Sequence, residues 1–151
     1  MKRSLIFYLT LIGLLCIQCN NHLEYSDIIN VKNSWNKKDT LNFTFKVQNS
    51  ENKKNINFIV RNNNDYPFSN IYLFVKLKQG KNIVTVDTLN YFLADNSGKW
   101  LGTGVGSVKE INLRYKKEFN FPKNGLYTLS IVQGMRKDTL KGIEDFGVNI
   151  E

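Results

Sequence analysis

The 151 residues of this chain carry a formal net charge of +8 and are enough for one domain with its own hydrophobic core. The only two cysteines, Cys16 and Cys19, lie near the N-terminus, so the rest of the chain offers neither a disulfide framework nor a cysteine-based zinc site. The single histidine, His22, follows closely, which argues against a histidine metal cluster and a Ser-His-Asp triad. We therefore expect no metal, no cofactor and no catalytic residue.

The N-terminus has the three-part plan of a secretory signal peptide. A basic start is followed by an apolar run from Ser4 to Ile17, and then by Cys19 and polar residues. A cysteine at this junction is typical of a bacterial lipoprotein, which is cut before the cysteine and acylated on it. The run of about 14 residues is shorter than the roughly 20 that a transmembrane helix requires. We expect a signal peptide at 1–18, a lipidated Cys19 carrying fatty acid such as palmitate with a short tether at 19–24, and a folded domain at 25–151.

Three alternatives to this assignment stay open. Gln18 stands where a typical lipobox has a small residue, and Cys16 is a competing site for the lipid. We prefer Cys19 because the apolar run has ended there, whereas a cut before Cys16 would leave Ile17 behind it. Cleavage without lipidation and retention of an uncleaved anchor are the other two alternatives.

Beyond the tether, apolar and polar residues alternate with period two, which predicts one strand after another. The predicted strands cover residues 23–31, 41–48, 56–61, 71–78, 83–94, 113–121, 126–132 and 146–150. Turns rich in Asn, Gly, Asp and Pro separate them, and segments 34–39 and 107–111 are candidates for a turn of helix. This spacing predicts an all-β fold, a single antiparallel β-sandwich of the jelly-roll or immunoglobulin-like type.

The basic charge bears on the choice of partner. An exported protein rarely meets nucleic acid, so anionic lipid head groups, lipopolysaccharide or an acidic partner protein suit the positive charge better. Lysine pairs are scattered, at 37–38, 53–54 and 116–117, which is typical of solvated faces rather than of one binding stripe.

Aromatic side chains are the richest functional signal. Trp100, Tyr66, Phe68 and Trp35 are candidate interface residues, since Trp35 has polar neighbours, Trp100 follows a turn, and tryptophan is over-represented at binding hot spots. Exposed aromatic rings on one sheet would also suit a carbohydrate. The plain interpretation is that these rings belong to the core or to a sheet surface.

Several stretches of the chain resemble one known family. They are residues 66–74, 87–89, 93–104, 121–127, 133–136, 140–143 and 147–151. The most specific of these runs from Asp95 to Gly104, within 93–104. Together with the lipid signal, these stretches resemble the gliding motility lipoprotein GldH family of Bacteroidetes, over most of residues 25–151.

The resemblance implies a membrane-anchored lipoprotein that faces the periplasm, in an apparatus that moves surface adhesins and is bound up with type IX protein secretion. Inner and outer membrane both stay open. It implies no enzymatic activity and no nucleic acid, and partners among other gliding or secretion lipoproteins and envelope proteins. We therefore expect a non-enzymatic scaffold or adaptor of this machinery. A carbohydrate-binding envelope lipoprotein is the alternative.

The tripeptide Asp-Thr-Leu occurs three times, with its threonine at Thr40, Thr88 and Thr139. The plain interpretation is a polar entry into a strand. The motif also resembles the Asp-Ser/Thr-aliphatic acceptor for O-glycosylation in the Bacteroidetes periplasm, so the three threonines are candidate O-glycosylation sites.

Overall fold

The computed structural model describes residues 23–151, and the predicted signal peptide, Cys16 and Cys19 lie outside the described residues. The fold is all-β, an antiparallel sandwich as predicted from the alternation. Its strands are β1 (Tyr25–Asn30), β2 (Ser34–Asn36), β3 (Leu41–Val47), β4 (Lys54–Asn62), β5 (Asn70–Gln79), β6 (Asn82–Phe92), β7 (Lys109–Phe119), β8 (Gly125–Gln133), β9 (Thr139–Lys141) and β10 (Ile143–Ile150). Within this described part, no helix has the length and apolar character needed to cross a membrane.

The strands pair as one long ribbon folded back on itself. The hairpin β5–β6 is the innermost pair, and β4–β7, β3–β8, β2–β9 and β1–β10 follow outward in nested antiparallel order. Two further pairings, β4–β10 and β5–β8, roll the ribbon into sheets of order β1-β10-β4-β7 and β3-β8-β5-β6. Of the two predicted types, this nested arrangement is that of a jelly roll.

The core lies between the two four-stranded sheets. Strand β3 shows how the sequence builds it, because every second residue from Leu41 to Val47 is buried and the residues between are exposed. Phe146 sits at the centre, with ring centroids 5.3 Å from Phe58 and 6.3 Å from Phe43. Each buried phenylalanine stabilises the fold by roughly 1.5–3 kcal/mol relative to an exposed one.

The sandwich has two distinct ends. The tether end is formed by Glu24 with loops 48–53, 80–81 and 120–124, and the far end by loops 31–33, 63–69, 93–108 and 134–138. Glu24 is fixed at the tether end, because its backbone N–H donates to the Ile150 carbonyl at 2.8 Å and its carboxylate pairs with the buried ammonium of Lys54. The chain therefore enters the fold at a defined point.

Two segments differ from the prediction of a helical turn. Residues 34–36 form β2, which pairs with β9. In the second segment, residues 109–111 already belong to β7, and residues 107–108 directly precede that strand. The first correction has a clear physical reason: pairing with β9 places Trp35 opposite Leu140 and buries both side chains. Burial of a tryptophan outweighs the weak local preference of a short polar segment.

Candidate binding surface

Two of the four candidate interface residues lie inside the protein. Trp35 is only 1% exposed, packs on Phe146 at 5.4 Å between ring centroids, and donates its indole N–H to the Asp39 carbonyl at 3.1 Å. Tyr66 is 3% exposed and donates its hydroxyl to the Asn70 carbonyl at 2.8 Å. These placements correct the expectation that Trp35 and Tyr66 are available to a partner. Both rings are buried, and the indole N–H and the hydroxyl each have a hydrogen-bond acceptor within the protein.

Trp100 and Phe68 are partly exposed at the far end. The Trp100 ring lies 6.4 Å from Tyr66 and donates its indole N–H to Asn64 Oδ1 at 3.1 Å. Phe68 meets Tyr66 edge-on at 5.8 Å. Trp100 thus holds the long 93–108 loop against the fold, while Phe68 leaves one side of its ring free. Both stay candidate interface residues.

All three candidate O-glycosylation sites are exposed. Thr40 and Thr139 flank the far end, and Thr139 Oγ1 accepts a hydrogen bond from Asn36 Nδ2 at 3.2 Å. Thr88 lies on β6, directly opposite Phe74. A modifying enzyme has access to each hydroxyl, and their glycosylation stays a prediction.

The strongest surface feature is the solvent side of the sheet β3-β8-β5-β6, which we call the outer face. Here Tyr72 and Phe74 of β5 are 41% and 51% exposed, and Phe92 of β6 is 62% exposed. The strand register joins them into one surface, because Phe74 stands between Val132 of β8 and Thr88 of β6, and Tyr72 is the next outward residue. Several large apolar side chains in one patch typically mark an interaction site.

Two grooves lie close to Phe74. One of about 380 Å³ is lined by Phe68, Tyr72 and Met135, and one of about 320 Å³ is lined by Phe74, Val86 and Val132. The ring rests on Gly134, which borders the first groove, and a Cβ at that position would come within 3.0 Å of the ring. The missing side chain of Gly134 therefore lets Phe74 lie flat between the grooves.

The charges of the outer face are of one sign. Its outward positions on the four strands carry Lys46, Lys76 and Lys78 and no carboxylate, and none of these lysines forms an ion pair within residues 23–151. The solvent side of the other sheet differs, because Arg61 bonds Glu110 at 2.7 Å and lies 3.5 Å from Asp145. Within residues 23–151, the outer face thus combines exposed aromatic rings with lysines that form no ion pair.

A titratable cluster lies at the seam between the edge strands β6 and β7. Partial burial acts to raise the pKa of Asp87, but hydrogen bonds from Tyr115, at 2.7 Å, and Lys116 outweigh it and hold this pKa below its usual range. Burial raises the pKa of Tyr115 and brings that of Tyr91 to about 12. At neutral pH this cluster holds a fixed carboxylate between donors, an arrangement that ties two edges together. Among residues 23–151, no three His, Cys, Asp or Glu side chains gather as a metal site would require.

Known proteins resemble this chain over nearly its full length. The model of the family described as GldH lipoprotein matches residues 15–150. A gliding motility lipoprotein GldH homolog from Christiangramia forsetii is 36% identical over 97% of this chain and 93% of its own length. The gliding motility lipoprotein GldH of Flavobacterium johnsoniae is 32% identical over 95% of this chain and 93% of its own length.

Solved structures are more distant. Dimeric latent PorU from Porphyromonas gingivalis aligns with 85% of this chain and 13% of its own, at 10% identity and a TM-score of 0.36. PliG of Salmonella Typhimurium, a periplasmic inhibitor of g-type lysozyme, aligns with 89% of this chain and 93% of its own, at 16% identity and a TM-score of 0.30.

Proposed function

The chain belongs to the GldH lipoprotein family, and from this premise we propose that it is a non-enzymatic scaffold or adaptor of the gliding machinery. Membership makes it a membrane-anchored envelope lipoprotein of gliding motility. The proposal adds that lipid on Cys19 holds it at the membrane, that the domain faces the periplasm, and that its partners include lipoproteins and envelope proteins of gliding or type IX secretion.

The observation that carries this proposal is the outer face. Exposed rings such as those of Phe74 and Phe92 lower the solubility of an isolated protein. Aromatic residues of this kind contribute strongly to protein–protein interfaces. They lie on rigid strands rather than on loops, so a partner meets a preformed surface. A sandwich of this kind presents a fixed binding face with little ordering cost.

Membrane attachment explains how such a face assembles a complex. Confinement of two proteins to one membrane raises the effective concentration of each for the other, so a modest interface is enough for stable association. Transfer of the lipid chains contributes about 0.8 kcal/mol per buried CH₂ group. In this proposal the lipid anchor localises the protein to the membrane, and the outer face recognises the partner.

The carboxylates support a non-enzymatic role. Asp87 is held ionised by its donors, and Asp145 and Glu110 share Arg61. A general acid needs a carboxyl pKa raised toward neutral pH by burial or by a like charge. Asp87 lies in the opposite kind of environment, because its donors hold its pKa below the usual range.

The proposal is tested by affinity purification of the full chain from detergent-solubilised membranes at native expression. We expect other gliding or secretion lipoproteins to copurify, and we expect Phe74→Ser with Phe92→Ser to reduce their yield. Leu101→Ser is the matched control, because it removes an equally exposed apolar side chain from the far-end loop. Recovery of no envelope partner with the unaltered chain would count against the scaffold role.

The groove beside Phe68 and Tyr72 favours a second candidate, the carbohydrate-binding lipoprotein. Two aromatic rings that border a groove of about 380 Å³ offer a place for a sugar ring. Binding on a glycan array that disappears in Tyr72→Ala would support this candidate. A Trp35→Ala variant is unsuitable for the test, because Trp35 lies in the core and its loss would disturb the fold.

A further inference from the structure

We propose that the outer face docks a partner protein whose contact surface places aspartates or glutamates around an apolar centre. The inference rests on the scaffold function and specifies the chemistry of the partner. It follows from three properties of the face: its apolar centre, its uniform charge and its position relative to the tether.

The apolar centre determines what fills the grooves. The ring of Phe74 is half exposed, and the two grooves close to it are bordered by Phe68, Tyr72, Val86 and Val132. Apolar side chains of a partner fit such grooves, and desolvated pockets of this kind concentrate binding energy at an interface. The partner therefore contributes apolar side chains opposite Phe74.

The charge determines what surrounds that centre. Lys46 of β3 and Lys76 and Lys78 of β5 point outward on the same sheet, with β8 between the two strands, and have no carboxylate partner among the described residues. A second copy of the chain, joined face to face, would add three more lysines to the interface and no carboxylate to pair with any of them. Like charges across an interface are unfavourable, whereas carboxylates of a different protein would complement them.

The position of the face favours a protein over a lipid surface. Lys46 and Lys78 lie toward the tether end together with the exposed Leu126 and Ile83, while Tyr72, Phe74 and Phe92 lie toward the far end. A membrane held by the tether would reach the tether end of the face first and the three aromatic rings last. The rings and the grooves beside them are therefore left for a protein rather than for lipid.

Site-directed crosslinking tests the inference on the full-length lipoprotein in isolated membranes. Residues 23–151 contain no cysteine, so Asn90→Cys, opposite Tyr72 on the outer face, provides a unique thiol for a maleimide-linked benzophenone. Asn112→Cys on the solvent side of β7 is the matched position on the other sheet, and the chain without an added cysteine controls for other thiols. Mass spectrometry then identifies what is attached, and where.

Charge reversal supplies the decisive comparison. We expect Asn90→Cys to crosslink to a protein segment that contains aspartate or glutamate, and Lys76→Glu with Lys78→Glu to lower the yield about tenfold. Arg114→Glu with Lys117→Glu makes the same change in net charge on the other sheet and should leave the yield unchanged. Unaltered thermal unfolding of both double variants checks that each still folds.

Several results would overturn the inference. They are crosslinks from position 90 to lipid, to polysaccharide, to a second copy of the chain or to a protein segment without acidic residues, and a yield that does not respond to the lysine reversals. No crosslink from position 90, while envelope partners still copurify with the unaltered chain, would remove this face as the docking site and leave the scaffold function standing. Loss of all copurifying partners would instead contradict the scaffold function itself.

Discussion

Gly142 joins β9 to β10 where two stretches of backbone approach each other most closely. Its φ is +83°, and a Cβ added there would lie 2.1 Å from the backbone nitrogen of Tyr66. Only glycine satisfies both the left-handed backbone and the close contact. This one residue lets the 63–69 loop, and with it Tyr66 and Phe68, pack against the end of β9.

We predict that Gly142→Ala destabilises the protein by roughly 3 kcal/mol or more, because the strain of a positive φ adds to a steric clash with backbone that cannot yield. Gly80→Ala is the matched control, since Gly80 has φ +58° but nothing within 4 Å of its added Cβ. The control should lose only about 1 kcal/mol. Urea unfolding of both variants measures the difference, and equal losses would show that the contact with Tyr66 is unimportant.

The burial of Trp35 is an example of a residue property that the neighbouring sequence does not predict. Its polar neighbours Ser34 and Asn36 are what an exposed tryptophan would have, yet the indole is buried. The reason lies about one hundred residues away, in β9, where Leu140 pairs with it. Local composition carries no information about such a partner, so its burial follows only from the tertiary fold.

The edges of the two sheets meet at the scale of whole strands. Strands β6 and β7 are not paired through their backbones, and side chains bridge them instead. Tyr91 donates to the Arg114 carbonyl at 2.9 Å, Tyr115 donates to Asp87 at 2.7 Å, and Lys116 lies 3.1 Å from the same carboxylate. The bond from Tyr91 covers an edge carbonyl that would otherwise be open to pairing with another chain, and the other two hold the edges together through side chains.

We predict that Asp87→Asn destabilises the protein by about 1 kcal/mol at pH 7, because the charge-assisted bonds from Tyr115 and Lys116 are weakened at a partly exposed site. The pKa of Asp87 is lowered in the fold, so its contribution is present above the pKa of the unfolded state, about 3.9, and is lost as pH falls through the lower folded value. The difference between the two proteins should therefore shrink as pH falls below about 4.

Denaturant unfolding from pH 7 down to pH 3 measures this convergence. Asp138→Asn is the control, because Asp138 pairs with Lys37 at 2.5 Å at an exposed site, where an ion pair contributes at most about 1 kcal/mol. A stability difference for Asp87→Asn that stays constant across this pH range would contradict the assignment of an ionised, bonded carboxylate at the seam.

The sequence predicts the strands β3 and β5 well, since both predicted segments lie on observed strands. In β3, Leu41 to Val47 alternate strictly, so the buried row is evident. In β5, Lys76 and Lys78 mark the outward row, but Tyr72 and Phe74 share it. Aromatic residues are as frequent in a core as on a sheet surface, so the sequence alone does not predict that these two rings are exposed. Strands of three residues, such as β9, are too short for any periodic signal.

At the scale of the whole molecule, nested pairing fixes where the chain leaves the sandwich. Strand β1 pairs with β10, the last strand, so the tether emerges beside the final residues and next to the loop 48–53. Five peptide units separate Cys19 from Glu24, and fully extended they span at most about 18 Å. Strand β4, with nine residues, is about 30 Å long and separates the tether end from the far end. With lipid on Cys19, the tether end is held within about 18 Å of the membrane, whereas the far end is free to lie about 30 Å further away.

We predict that a fluorophore at Lys53→Cys is quenched more strongly by quencher-bearing lipid head groups than one at Lys99→Cys, when the lipidated chain is reconstituted into vesicles. Both lysines are exposed and the substitution is the same, but residue 53 lies at the tether end and residue 99 in the far-end loop 93–108. The short tether and the length of the strands together favour this order in an upright domain. Equal quenching, or stronger quenching at residue 99, would mean that the domain lies flat or is inverted on the membrane. In that arrangement the far-end residues Phe68 and Trp100 would face lipid instead of the periplasmic partners proposed for them.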